Sequence, residues 1–236
     1  MGSPEPEAYS SSMRELVVFL HDVGQLPPVW QPQVEALPAD LPMSAPWLAG
    51  LRPGNRGEFS PTAAAQDISN LLTERGTDRG YLIAHGFSTI VAALAAAQDD
   101  RVAGLILISP RIPPTRRQIR GIKLMMRFIP RSQAIDKRRF GEVLDTLSSI
   151  DLPQTLQKIS APAMLIGVDG DQASQDGVGT YLKHLRIAAG KSVAAQPAND
   201  GIPEAATAPI AEMLETWRNN PSSTEADGDR NPDPDA

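Results

Sequence analysis

The chain has 236 residues, 41% hydrophobic and 21% charged, with a formal net charge of −6; this size and balance suit one globular domain, and the acidic balance argues against general nucleic-acid binding. Cysteine is absent and the three His lie far apart, which excludes disulfides, thiol chemistry and paired metal-ligand spacing, so no metal and no cofactor is expected. No run of about 18 apolar residues occurs, the start MGSPEPEAYSSSMRE is polar and acidic, and its sixth position lacks the Ser or Thr of a myristoylation signal; the expected location is cytoplasmic.

Residues 1–13 read as a disordered lead. Glu15–Leu20 (ELVVFL) has the short, branched, continuous apolar character of a strand buried on both faces, ended by His21, Asp22 and Gly24. A short helix is predicted over Trp30–Leu37 and a poorer strand over Met43–Trp47, before a Pro- and Gly-rich loop. Pro61–Arg75 is a predicted amphipathic helix, with Ser60 as N-cap, Pro61 at the first helical position, and Gly76 ending it. Tyr81–Ala84 is a strand that passes abruptly, through His85, Gly86, Phe87 and Ser88, into the Ala-rich helix Ile90–Ala97. Gly104–Ile108 is the next strand, and a largely helical insertion spans 111–160. Ala163–Gly167 resumes the sheet, Val178–Ala188 is a helix, Ser192–Ala195 a weak last strand, and Ala206–Trp217 the closing helix. Residues 219–236 have no apolar periodicity and read as a disordered acidic tail, leaving one domain over 14–218. Strands alternating with helices imply a mostly parallel central sheet flanked by helices.

Five stretches, in order, resemble landmarks of the α/β-hydrolase fold. FLHDVG (19–24) is similar to the HG-type motif after the family's third strand. VWQPQVEALPADL (29–41) resembles its W-x-x-Q segment, and APWLAGLRPG (45–54) the loop that follows. DDRVAGLILISP (99–110) resembles the stretch after the elbow helix, and SAPAMLIGVDGDQAS (160–174) the segment carrying the catalytic acid. Tyr81–Ala97 stands where that family has its nucleophile elbow, G-x-S-x-G. The motif's Gly, Ser and Gly fall on Ala84, Gly86 and Ser88.

The resemblance implies a triad whose positions are degenerate here. The nucleophile position is Gly86, which has no side-chain oxygen. Counting back from Pro209 puts Ile202 on the base, and no His follows His184. The acid falls on Asp169 or Asp171, with no His to orient. Acyl transfer needs all of these groups, so no catalytic residue is assigned. The backbone amides of Val23 and Phe87 need no particular side chain, so an oxyanion hole is expected to survive. Val23, Gly86, Phe87, His21 and Asp22 are the candidate ligand-binding residues. Asp22 replaces a motif Gly. Ser88 is expected to face helix–sheet packing, His21 and His85 to be structural, and His184 to lie on the surface.

From Arg111 to Phe140 ten basic residues face the single acid Asp136. On a helical wheel Arg116, Arg120, Lys123 and Arg127 share one side; Ile119, Ile122, Met125, Met126 and Ile129 share the other. In the family this insertion is a helical lid, whose apolar stripe would cover the pocket. The sequence therefore predicts a pseudo-hydrolase that binds a small apolar or acyl ligand, or a protein partner. Two other readings stand beside it: an esterase-like hydrolase or a lyase with an unconventional site, and a basic-lid module contacting a membrane or an acidic protein.

Overall fold

A computed structural model describes residues 13–48, 50–52, 58–126, 128, 137–195 and 201–220. The predicted lead up to residue 12 and the tail from 221 lie outside the described residues. Among these residues six strands form one wholly parallel sheet: β1 (Glu15–Leu20), β2 (Met43–Ser44), β3 (Arg79–His85), β4 (Val102–Ile108), β5 (Ala163–Val168) and β6 (Ala188–Val193), in the order β2-β1-β3-β4-β5-β6.

Successive residues of a strand point to opposite faces, so strands that are apolar at every position feed two cores. Val18, Leu20, Leu82, Ala84, Leu105, Leu107 and Leu165 pack on one face, against α2 (Pro61–Glu74) and α3 (Ser88–Ala96). Val17, Phe19, Ile83, Ile106, Ile108 and Ile166 pack on the other, with Trp30 and with Ile210, Leu214 and Trp217 of α8 (Thr207–Asn219). The paired residues Leu20 and Ala84, His85 and Ile108, and Ile108 and Ile166 align the carboxyl ends of β1, β3, β4 and β5. The loops leaving those four ends therefore emerge together, which is where open parallel sheets hold their sites.

Local chemistry sets the ends of α2 as expected. The Ser60 side chain accepts from the Ala63 amide at 3.2 Å, Pro61 opens the helix, and Gly76 follows it with φ +59. Other bounds differ from the sequence reading. The helix α1 (Gln31–Glu35) continues a 3-10 turn over Pro27–Trp30, and β2 ends at Ser44 rather than Trp47. α7 runs Gln172–His184 instead of Val178–Ala188, because Asp171 caps it by accepting from the Ser174 amide; Gly177 and Gly179 had obscured its first half. β6 begins at Ala188, not Ser192. It is an edge strand exposed along most of its length, so burial leaves no apolar pattern in its sequence. α8 takes in Asn219, one residue past the predicted domain end.

The insertion forms α4 (Arg116–Met126), α5 (Lys137–Leu147) and α6 (Leu152–Gln157). It is anchored rather than draped. Val143 and Leu147 of α5 and Leu152 and Leu156 of α6 are buried in the same core as α3.

Gly177 lets α7 lie directly on the loop after β4. A Cβ there would collide with the Pro110 carbonyl, its carbon only 2.7 Å away. Backbone cannot swing aside as a side-chain tip can. Gly177→Ala is expected to cost about 2–4 kcal/mol, read as a lower denaturation midpoint with an unchanged slope in urea. A loss within about 0.5 kcal/mol would show that α7 and this loop are not in contact.

Candidate functional site

The site is built at the end of β3. The chain leaves the strand at His85 and turns through Gly86, whose φ of +62 is the left-handed region that glycine enters cheaply. The Gly86 amide donates to the Ile108 carbonyl at 3.0 Å, tying the turn to β4. α3 begins two residues later, and its Thr89 hydroxyl donates back to the Gly86 carbonyl at 2.7 Å.

The neighbouring loop after β1 supplies the decisive group. Asp22 Oδ1 accepts from the Val23 amide at 2.7 Å and from the Phe87 amide at 2.8 Å. Two backbone N–H groups from different loops thus converge on one oxygen, the geometry of an oxyanion hole. The chain's own carboxylate occupies this pair of amides, so they are not open to a ligand. The same carboxylate also takes the space of a side chain at the elbow. A Cβ built on Gly86 would lie inside it, with Oδ1 at 2.7 Å and Cγ and Oδ2 closer still. Asp22 does not need the special backbone of the Gly it replaces, since the positive φ of this loop falls on Gly24, at +86.

Burial pushes the Asp22 carboxyl up to about 6, and the Val23 and Phe87 amides and the Arg111 charge only partly offset it. The side chain is half-buried by accessible surface, so the desolvation comes from the surrounding protein as much as from closure against water. Gln25 completes the loop. Its Oε1 accepts from the Asp22 amide at 3.0 Å and lies 3.2 Å from His85 Nδ1. With a carbonyl oxygen as partner, Nδ1 carries the proton. Burial, and then the Arg111 charge, press His85 down to about 4, so it is a neutral donor.

His21 is fully buried, its ring edge-on to Trp47 at 5.2 Å, with Nδ1 3.0 Å from the Asp22 carbonyl and Nε2 without a partner among the described residues. Desolvation lowers its pKa. Ser88 is also buried, and its hydroxyl donates to the His21 carbonyl. That bond links the two loops and turns the hydroxyl away from the elbow.

Of the two acid candidates only Asp171 joins the site. Asp169 accepts from Ser192 on the edge strand. Asp171 receives both arms of Arg111, at 3.1 and 2.7 Å, together with the Ser109 hydroxyl at 3.3 Å. Burial raises its pKa, but the Arg111 and Ser174 hydrogen bonds outweigh that and hold it below the ordinary carboxylate range. Ser109, with φ +48, is the one non-glycine residue in the left-handed region among the described residues, and this turn aims the chain toward Arg111. Ile202 is buried in the core on the sheet face opposite α3. His184 is half-buried at the far end of α7, roughly 20 Å along the helix from Asp171.

Arg111 is the functional residue that sequence reading missed. In the sequence it stands only as one of the basic residues of the insertion. Its signal was position: it follows β4 by three residues, and β4 neighbours β5, which delivers Asp171. Adjacent strand ends bring such residues together. No group of residues able to hold a metal is found among the described residues.

A parallel sheet in this order, a glycine-turned elbow between β3 and α3, converging amides and an acid after β5 define the α/β-hydrolase fold. Solved structures agree. The chain is similar to a hydrolase from Oleispira antarctica (TM-score 0.69, 16% identity, covering 89% of this chain and 92% of that one). It is also similar to MenH from S. aureus (0.67, 12%, 89% and 96%) and to a Paleococcus ferrophilus monoacylglycerol lipase (0.65, 18%, 85% and 94%). No protein-family model and no curated protein matches the sequence.

Gly86→Ser must expel the carboxylate and is expected to cost about 2–4 kcal/mol, the scale of two charge-assisted hydrogen bonds. In Asp22→Ala the same Ser is accommodated, so a double-mutant cycle should show coupling of at least about 1 kcal/mol. Additive losses would place the two groups apart.

A carboxyl raised from 3.8 to about 6 contributes stability that is fully present below about 4 and lost as pH rises through 6. Asp22→Asn keeps the acceptor and removes the titration. It should gain on the wild type between pH 4 and 7, by at most roughly 3 kcal/mol. His85, depressed from 6.5 to about 4, costs stability as pH falls through that same range, but it does so in both proteins and cancels in the difference. A pH-independent difference in thermal unfolding would remove Asp22 from the plug.

Proposed function

We propose that this chain is a non-catalytic α/β-hydrolase-fold protein that works by binding rather than by turnover. The observation that carries the reading is the Asp22 Oδ1 atom seated on both the Val23 and Phe87 amides. Ester hydrolysis would require those amides to receive the oxyanion of the substrate, and an ionised carboxylate held there excludes it. Three further features support the reading. Gly86 offers no nucleophile at the elbow. Ile202, the residue at the position of the base, is an apolar core residue. Asp171, the acid position, is committed to Arg111. A small acyl ligand would enter the elbow only by displacing Asp22, so the geometry favours recognition through surfaces outside it.

A lyase-type proton transfer by Asp22 has one observation in its favour, since a buried carboxyl near 6 has the proton affinity of a general base. Both amides and the Gly86 backbone nevertheless surround it, and no substrate atom could replace them without dismantling the loop.

The purified protein is expected to hydrolyse a short-chain p-nitrophenyl ester no faster than albumin, and to resist labelling by a fluorophosphonate. Labelling at any Ser, with Ser88 the first to inspect by mass spectrometry, would overturn the reading. Turnover abolished by Asp22→Asn would instead favour the lyase alternative.

A further inference from the structure

The sequence pattern places the apolar side of α4 over a pocket, and the structure departs from that in a consequential way. Among the described apolar residues of α4 only Ile119 and Met126 are buried, at 4% and 7% exposure. Met125, expected on the covered side, is 68% exposed, Leu124 is 57% exposed, and Phe128 just beyond the helix is 82% exposed. Soluble proteins rarely present three large apolar side chains within five residues without a use for them.

Their neighbours carry positive charge. Arg116, Arg117 and Arg120 are exposed on the first turns of the same helix, and none of them has an ion-pair partner among the described residues. Arg116, Arg120, Leu124 and Phe128 follow one another at intervals of four, which puts them along one ridge of a helix. Lys123 stands apart from this set, since it is paired with Asp145 of α5 at 2.5 Å. The charge balance of the chain sharpens the contrast. Between Arg111 and Phe140 ten basic residues meet one acid, in a protein whose formal charge is −6. The remainder therefore carries a negative excess of fifteen and would be repelled by any surface that attracts α4.

We propose that the exposed face of α4 is a docking surface for an anionic lipid bilayer. Leu124, Met125 and Phe128 enter the boundary between headgroups and acyl chains, while Arg116, Arg117 and Arg120 meet lipid phosphates behind them. This is the chemistry by which an amphipathic helix lies in a membrane interface: buried apolar area plus attraction to anionic headgroups. The acidic remainder fixes the orientation, because only this face is drawn in. An acidic protein would satisfy the three Arg but gives no reason for adjacent Leu, Met and Phe to project past them, and charge complementarity together with apolar reach selects the bilayer. No helix among the described residues is long and apolar enough to cross a membrane, so the contact is peripheral and reversible. It does not depend on the elbow being inactive.

The test is co-sedimentation of the full chain with vesicles of phosphatidylcholine alone and of phosphatidylcholine mixed with phosphatidylglycerol. Binding is expected to the mixed vesicles only, and it should weaken as salt shortens the Debye length below about 8 Å. Replacing Arg116, Arg117 and Arg120 together by Gln should lower affinity about a hundredfold, at roughly fivefold for each charge. Leu124→Ser with Phe128→Ser should lower it at least about tenfold without altering the salt dependence. All five positions are exposed, so melting temperatures should match the wild type. Failure of the wild type to bind the mixed vesicles would overturn the proposal. So would equal binding by the wild type and both variants, or capture of an acidic protein through these Arg without any vesicle binding.

Discussion

One carboxylate oxygen organises the functional end of this fold. Asp22 Oδ1 joins the loop after β1 to the start of α3 by taking the Val23 and Phe87 amides at once, and the rest of the site arranges itself around that junction. Gly86 must lack a side chain because the carboxylate occupies its place. Gln25 buttresses the loop from behind and fixes the tautomer of His85. Ser88 acts as a clasp on the His21 carbonyl. An N–H pair that would otherwise stand desolvated and unsatisfied at a buried turn finds its acceptor within the chain.

The second ionic element, Arg111 with Asp171, follows from the same geometry one strand further along. Ser109 turns the chain in the left-handed region as it leaves β4, and Gly177 brings α7 against the following loop. The two strand ends then present a guanidinium and a carboxylate face to face, in the bidentate form that Arg makes best. Arg111 acts on both sides. It holds Asp171 ionised, and its field helps to keep His85 neutral. Asp171 is thereby a strut between two loops.

The layout was legible in the sequence because buried parallel strands announce themselves. ELVVFL, YLIA, GLILI and AMLIG are continuous apolar runs, and the strand-to-helix passage at Gly86 is too abrupt for anything but a sharp turn. The exposed strand β6 and the first half of α7 were illegible for the converse reason. AAGKSV has no face to bury, and α7 carries two glycines that only packing explains. At the site, the glycine at the turn was visible and the carboxylate beside it was not. Nothing in the letters His-Asp-Val-Gly reveals that the Asp carboxylate folds back onto its own neighbour's amide. Nor does a helical wheel reveal which apolar residues of α4 a globular body reaches. The wheel gives one stripe; the packing of Ile119 and Met126 covers part of it and leaves Leu124, Met125 and Phe128 outside.

The carboxylate on the elbow is tethered to the amides it occupies, and this bears on which molecules can ever use them. A free anion approaching the same two N–H groups competes with a partner whose effective concentration is set by a one-residue tether, on the order of millimolar or above. A lone acetate or phosphate gains nothing there that Asp22 does not already supply. Only a visitor with substantial contacts elsewhere on the protein would tip the exchange, so any selection at the elbow would be by total size and reach rather than by charge.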